Sequence, residues 1–277
     1  MNLSTGRYDR DLHVALEAAT RAGKLIMEHY SSFEVIPDAP ANISTDTDRA
    51  SQQIILGHIH SVFPGDALCA EEATELLTQT ARTGPRIWIV DPIDGTRGFA
   101  RKTGEFAVMV GFMDQGEVAV GVVLEPATAR LTYAVRGGGC WRRDDTATEP
   151  RSCRVSTVAE LARSTVTQSH SKKQSTPSQQ LKAIGPARVL ETYSAGIKLA
   201  QVARGEADLY LNTYEGCYDW DVCAGQLLVE EAGGRVTNLL GQEPRYGQPK
   251  NLQPNGLLAS NGLLHDSALT ALRGPLA

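Results

Sequence analysis

The residues with the most chemistry to offer lie in one stretch, Trp88-Ile89-Val90-Asp91-Pro92-Ile93-Asp94-Gly95-Thr96. An apolar strand runs into a carboxylate, and Pro92 then denies the ladder a donor. The reversal can gather Asp91, the Ile93 carbonyl and Asp94 around one small space. Hard divalent cations want such oxygen clusters, and Mg²⁺ is held by a few carboxylates together with water and substrate phosphate. Gly95 lets the backbone approach a ligand, and Thr96 adds a hydroxyl where a helix start favours a phosphate oxygen. Taken singly, Asp-Pro and Asp-Gly are common turn dipeptides. More acidic groups shift the balance. Glu71-Glu72 closes the preceding apolar segment, Trp220-Asp221 opens a later helix, and Asp48 stands near the start of another, although capping alone accounts for either aspartate.

These groups converge only if neighbouring elements carry them. Helical spacing of Leu12, Leu16, Ala19, Ala22, Gly23 and Ile26 predicts a first helix over Asp9 to Tyr30. A second begins after Thr47, turns Ala50, Ile54 and Val62 inward, and stops at Pro64-Gly65-Asp66. Short apolar segments at Ala67 to Ala70 and Arg86 to Val90 each lead into acidic residues. Phe106 to Val110, Val118 to Val123 and Leu131 to Val135 read as antiparallel strands. A polar stretch at Asp144 to Arg154 sets a soft boundary, dividing an α+β first half (1–150) from a smaller α/β second half (151–277). In the second half, strands at Thr165 to Thr167, Arg188 to Thr192 and Ala207 to Leu211 alternate with helices at Gly196 to Arg204 and Asp221 to Ala232.

Across 277 residues, 42% hydrophobic and 21% charged content supports a substantial core and excludes whole-chain disorder, collagen or coiled coil. A net charge of -5 argues against a broad grip on a nucleic-acid polymer, and no apolar run is long enough for a membrane span. The polar stretch Met1 to Arg10 has no signal core, and the five cysteines form an odd set without a CxxC pair. The expectation is a cytoplasmic protein.

Ala70-Glu71-Glu72, Trp88 through Thr96 and Trp220-Asp221 resemble the signature of the inositol monophosphatase superfamily, and Ser44-Thr45-Asp46-Thr47-Asp48 matches its motif before the second helix. The resemblance spans most of the chain. It implies a layered αβαβα fold and a Mg²⁺-dependent, Li⁺-sensitive phosphomonoesterase with two or three ions per site. It further implies that Glu72, Asp91 and the Ile93 carbonyl hold one ion, while Asp91, Asp94 and Asp221 hold another. Glu72 and Thr96 would orient the attacking water, Asp48 would hydrogen-bond Thr96, and Glu71 would support rather than ligate. Because this carboxylate set is complete, a catalytically silent binder is disfavoured.

Asp94-Gly95-Thr96-Arg97-Gly98-Phe99, Gly104-Glu105-Phe106-Ala107-Val108, Ser169-His170 and Ser194-Ala195-Gly196-Ile197-Lys198 are most similar to the 3'(2'),5'-bisphosphate nucleotidases. These remove the 3'-phosphate of adenosine 3',5'-bisphosphate (PAP), a by-product of sulfate transfer in sulfur metabolism. On that resemblance the substrate meets Asp94, Gly95, Thr96 and Asp221, with His170 and Lys198 near its second phosphate or ribose. One departure stands out: Asn212 occupies a place where some relatives carry arginine, so either Arg97, Lys172 or Lys173 substitutes or the substrate has only one phosphate. An inositol monophosphatase or a histidinol-phosphatase-like member of the superfamily is the alternative. The partner is in either case a small phosphate ester, acted on by a monomer or homodimer.

Overall fold

The computed structural model describes residues 6–145, 149–170, 178–214 and 216–273. Lys172 and Lys173 lie outside the described residues.

The chain opens with α1 (Asp9–Ser32) and α2 (Asp46–Val62), and then builds a seven-stranded sheet. Its strands follow chain order: β1 (Ala67–Ala70), β2 (Arg86–Asp94), β3 (Ala107–Asp114), β4 (Glu117–Glu125), β5 (Arg130–Val135), β6 (Gly139–Arg143) and β7 (Arg151–Ser152). Two short helices, α3 (Glu75–Gln79) and α4 (Thr96–Ala100), flank β2. The sheet is antiparallel as expected except at one edge, where β1 runs parallel to β2. That exception matters, since parallel neighbours bring the acidic residues after both strands to the same end of the sheet.

The second half supplies β8 (Thr165–Gln168), α5 (Gln179–Ile184), β9 (Arg188–Glu191), α6 (Ala195–Ala203), β10 (Leu209–Asn212), β11 (Cys217–Tyr218), α7 (Asp219–Glu231), β12 (Arg235–Thr237), β13 (Leu252–Gln253), β14 (Leu257–Ser260) and α8 (His265–Arg273). Five of these strands form a mixed sheet in the order β12-β14-β10-β8-β9, and β11 pairs with β13.

Three apolar layers glue the sheets and helices together. Ala15, Ala19 and Ile26 of α1 and Ile55, Leu56 and Ile59 of α2 bury against Trp88, Val110 and Phe112 on one face of the large sheet. Leu199 and Val202 of α6 and Leu227 and Leu228 of α7 pack between Met109, Val123 and Ala134 of that sheet and Ala259 of the smaller one. Leu181, Ile184 and Leu269 close the outer face over Val166, Leu209 and Leu258. The order is therefore helix, sheet, helix, sheet, helix, each interface driven by apolar area removed from water. No helix among the described residues is long and apolar enough to cross a membrane. All five cysteines are buried and none forms a disulfide.

Two local expectations change. The buried face of α2 carries Thr47, Asp48, Ser51, Gln52, Ile55, Leu56 and Ile59, rotated from the predicted Ala50, Ile54 and Val62. Polar contacts choose it: Ser51 Oγ donates to the Pro92 carbonyl at 3.0 Å, and Gln52 Oε1 accepts from the Glu72 amide at 2.8 Å. Pro92 also does not end β2. Pairing with β3 runs to Asp91↔Met109, slips, and resumes at Asp94↔Ala107. The resulting bulge re-aims side chains between the two aspartates, as bulges do beside functional sites.

Candidate metal centre

Asp91 and Asp94 reach the centre from the bulge in β2, and Asp221 reaches it from the first turn of α7. One carboxylate oxygen from each lies within 4.8 Å of the others. Asp91 and Asp94 are almost wholly buried, at 2% and 6% exposure. Burial, followed by the charge of Glu71 and then those of Asp94 and Asp221, raises the Asp91 pKa well above the ordinary carboxylate value. Burial and the neighbouring Asp94 push Asp221 up to about 7. Like charges held this close in a dry site favour protons or a cation, and the donor set consists of the anionic oxygens that a hard divalent ion prefers. The residues present thus fit Mg²⁺.

Each carboxylate is held in place. Asp91 Oδ1 accepts from the Ile93 amide at 3.0 Å. Asp94 is gripped by the start of α6: the amides of Ala195 (3.1 Å) and Gly196 (2.6 Å) and the Ser194 hydroxyl all donate to it. Asp94 is raised by burial, with these donors and Lys198 pulling it back. Asp221 Oδ2 accepts from the Tyr218 amide at 2.6 Å, which caps α7 with the same side chain that faces the centre. Gly95 sits at φ +86°, and a Cβ there would lie 2.7 Å from the Glu105 carbonyl and 3.1 Å from the Ser194 amide. Any side chain at 95 would wedge α6 away from Asp94.

Thr96 and Asp48 meet as the resemblance implies. Thr96 Oγ1 lies 2.8 Å from Asp48 Oδ1 and 2.9 Å from the Ile93 carbonyl, while Thr45 donates from its amide (2.9 Å) and its hydroxyl (2.5 Å) to Asp48 Oδ2. Burial raises the Asp48 pKa and these hydrogen bonds oppose it.

The two glutamates differ in what they face. Glu72 turns from the trio: its Oε1 accepts from Ser44 Oγ at 2.5 Å, and Gln52 clamps its backbone. Glu71 is the glutamate whose charge bears most on Asp91. Its own pKa rises to about 8 through the protein packed around the carboxyl and then the charges of Asp221, Asp48, Glu72 and Asp94, although the residue as a whole is exposed. Adjacent residues leaving a strand face opposite ways, so an EE pair cannot say in advance which member turns inward.

Lys198 also departs from expectation. It is 1% exposed, and its ammonium donates to Ser169 Oγ (3.1 Å) and to the carbonyls of Thr192 (2.9 Å) and Tyr193 (3.2 Å). Three protons meet three internal acceptors, leaving none for a substrate phosphate. His170 Nε2 lies 2.7 Å from Glu105 Oε2, and its ring centroid is 4.3 Å from that of Tyr193, the residue before Ser194. Asn212 Oδ1 accepts from the Tyr214 amide at 2.8 Å, closing a turn. Ser194, Ser51 and Gln52 escaped the sequence reading as site residues. Of these only Ser194 carried a signal, as a serine opening a helix.

Comparison with known proteins gives the chain's relatives. A model of the inositol monophosphatase family matches residues 8–274. A histidinol-phosphatase of Mycobacterium tuberculosis is 33% identical over 267 residues, covering 95% of this chain and 97% of its own. A fructose-1,6-bisphosphatase/inositol-1-monophosphatase of Thermotoga maritima is 28% identical, covering 93% and 94%. Among solved structures, a Thermotoga maritima IMPase superposes with a TM-score of 0.79 at 28% identity, covering 95% of this chain and 96% of its own. With its five layers and its carboxylates gathered at the bulge of β2, the chain belongs to the inositol monophosphatase family.

Proposed function

We propose that the protein is a Mg²⁺-dependent phosphomonoesterase acting on a small monophosphate ester whose alcohol carries positive charge, with L-histidinol phosphate as the first substrate to test. One observation carries the choice of ester: the Lys198 ammonium is spent on internal oxygens. The bisphosphate resemblance implies a place for it near the second phosphate or the ribose. Beside the Asp94 clamp, His170 lies between the carboxylates of Glu105 and Glu191, at 2.7 Å and 3.6 Å, and Glu105 also accepts from the Tyr193 amide. A carboxylate-bearing wall repels a second phosphate and attracts an amine. The 33% identity to a histidinol-phosphatase supports the same choice.

Asp91, Asp94, Asp221, the Ile93 carbonyl and Glu71 would hold the metal, which when bound supplies Lewis-acid stabilisation of phosphate oxygens and lowers the pKa of water. The chain's own residues do the rest. With the Thr96 hydroxyl donating its hydrogen bond to Asp48, its lone pairs are left to accept from, and so orient, an attacking water. Burial keeps bulk water from competing for that hydroxyl. The Ser194, Ala195 and Gly196 donors fix the direction of Asp94 before substrate arrives, so no reorientation is needed in the transition state.

One observation favours the PAP reading as a second possibility. Arg97 Nε is buried without a hydrogen-bond partner among the described residues, and its guanidinium lies 5.4 Å from the Tyr193 ring. A phosphate could claim that donor. The test is phosphate release with Mg²⁺ from L-histidinol phosphate, inositol 1-phosphate, fructose 1,6-bisphosphate and PAP. Histidinol phosphate is expected to give the highest kcat/KM. PAP at the head of the panel would overturn the substrate choice, and no turnover of any ester would overturn the phosphatase.

A further inference from the structure

Lys198 presents an energetic puzzle. A buried ammonium costs several kcal/mol of lost hydration unless it is well paired. It lies in the first turn of α6, four residues after the cap Ser194, where the helix end already carries partial positive charge. The helix end therefore opposes a lysine at this place, and although the carboxylates of Asp94 and Asp221 favour its charge through space, all three of its hydrogen bonds go to uncharged oxygens. A residue that breaks a local rule this plainly calls for a role beyond folding.

The acceptors identify the role. Ser169 follows β8, and Thr192 and Tyr193 follow β9, so the ammonium ties the ends of two parallel strands to the helix after them. Thr192 and Tyr193 lead directly into Ser194. The Ser194 hydroxyl donates to Asp94 and also accepts from the Ile197 amide at 3.0 Å. A shift in the 192–194 segment would carry the Ser194 hydroxyl and the Ala195 and Gly196 amides with it, and Asp94 would lose its fixed direction. The side chain also passes the Tyr210 ring, with Nζ 5.3 Å from its centroid, so a rigid β10 residue limits its path.

We propose that Lys198 is a positioning residue: by gathering Ser169, Thr192 and Tyr193 around its ammonium, it sets the Ser194 clamp that aims the Asp94 carboxylate at the metal. This rests on the metal-centre reading proposed above. It assigns Lys198 no contact with substrate.

The test is a double-mutant cycle on Mn²⁺ affinity, measured by calorimetry on the whole chain, with Lys198→Met and Ser194→Ala. Methionine keeps the buried stem and removes the donors. Deleting a positive charge near a cation site also alters affinity through space, but that contribution is the same in both Ser194 backgrounds and cancels from the coupling term. If Lys198 acts through the clamp, Ser194→Ala weakens Mn²⁺ binding about tenfold, the scale for groups that orient ligands, and the coupling factor is about tenfold. Additive effects, with a coupling factor near one, overturn the proposal. Should Lys198→Met fail to fold by circular dichroism, Lys198→Gln replaces it, retaining a donor to one carbonyl, and the same criterion applies. KM provides a separate readout: the ratio of KM for PAP to KM for L-histidinol phosphate should stay at its wild-type value, and a rise confined to PAP would return Lys198 to the substrate. Wild-type protein that binds no Mn²⁺ would overturn the metal-centre reading itself, whereas binding without coupling would overturn only the role of Lys198.

Discussion

Strand β2 carries a group of buried carboxylates at each end, and the chain treats the two differently. At its start, Arg86 donates from Nε to Asp66 Oδ1 (2.8 Å) and from Nη2 to Asp66 Oδ2 (2.9 Å) and Asp11 Oδ1 (2.6 Å). Trp88 Nε1 adds a fourth bond to Asp66 at 2.9 Å, and the guanidinium lies 4.4 Å from the Phe112 ring centroid. The two aspartates thus share one planar cation, which they hold firmly enough to raise its pKa despite desolvation. At the other end, one carboxylate oxygen from each of Asp91, Asp94 and Asp221 lies within 4.8 Å of the others, and among the described residues no arginine is hydrogen-bonded to them. Lys198 bears on them only through space, its protons being committed elsewhere. Where carboxylates serve the fold, the sequence supplies their counter-charge. Where they serve chemistry, it leaves the charge to be met from solution.

Removing a carboxylate from the second group should therefore cost function and spare the fold. Asp94→Asn is expected to lower kcat/KM with Mg²⁺ about a thousandfold, or about 4 kcal/mol of transition-state stabilisation, while the metal-free protein melts no earlier than wild type. Retained turnover would remove Asp94 from the centre. Removing the cation from the first group should do the reverse. Arg86→Met strands two buried aspartates and should cost about 3 kcal/mol in urea unfolding, with Mn²⁺ affinity unchanged. An Arg86→Met protein as stable as wild type would show that the first group needs no internal cation.

The same contrast explains what the sequence disclosed. Asp91, Asp94 and Thr96 were legible as one oxygen cluster from residue type and backbone punctuation: a strand, a proline, a glycine, a helix start. Asp221 read equally as a helix cap and joined them only through the family resemblance. The α+β and α/β halves were legible from period, whereas the layered order came only with the family resemblance. The face of α2 was not, since Ser51 and Gln52 are buried for contacts to residues 92 and 72, which no helical periodicity encodes. Nor could spacing show that the Lys198 ammonium folds back onto Thr192 and Tyr193 instead of facing outward. Both misses are polar groups bonded to backbone across long sequence separations or around a helix start, and composition carries no trace of such partners.

The glutamate pair sharpens the comparison at smaller scale. Glu71→Gln is expected to weaken turnover about a hundredfold and Glu72→Gln less than tenfold, because of the two glutamates Glu71 bears more strongly on Asp91. Initial rates across a Mg²⁺ series distinguish them, and the reverse order would restore Glu72 to the metal.

The mildest effect follows from protons. With folded pKa values of about 8 for Glu71 and about 7 for Asp221, the native state binds protons that the unfolded chain, at about 4, has already released. The sign is fixed by that order: these groups stabilise the metal-free protein fully below about pH 4, and their contribution is lost as pH rises through about 7 and then about 8. The metal-free melting temperature should accordingly fall between pH 6 and pH 9. Mn²⁺ competes for the same oxygens, so its affinity should climb over this window by up to about tenfold per pH unit for each proton displaced. Saturating metal should flatten the melting profile, because the cation then supplies the charge that protons supplied. The guanidinium-paired group at the start of β2 adds nothing here, since Arg86 does not titrate in this range. A metal-free profile already flat from pH 6 to pH 9 would mean that the trio is compensated from within, as the Arg86 group is, and the difference between the two ends of the strand would disappear.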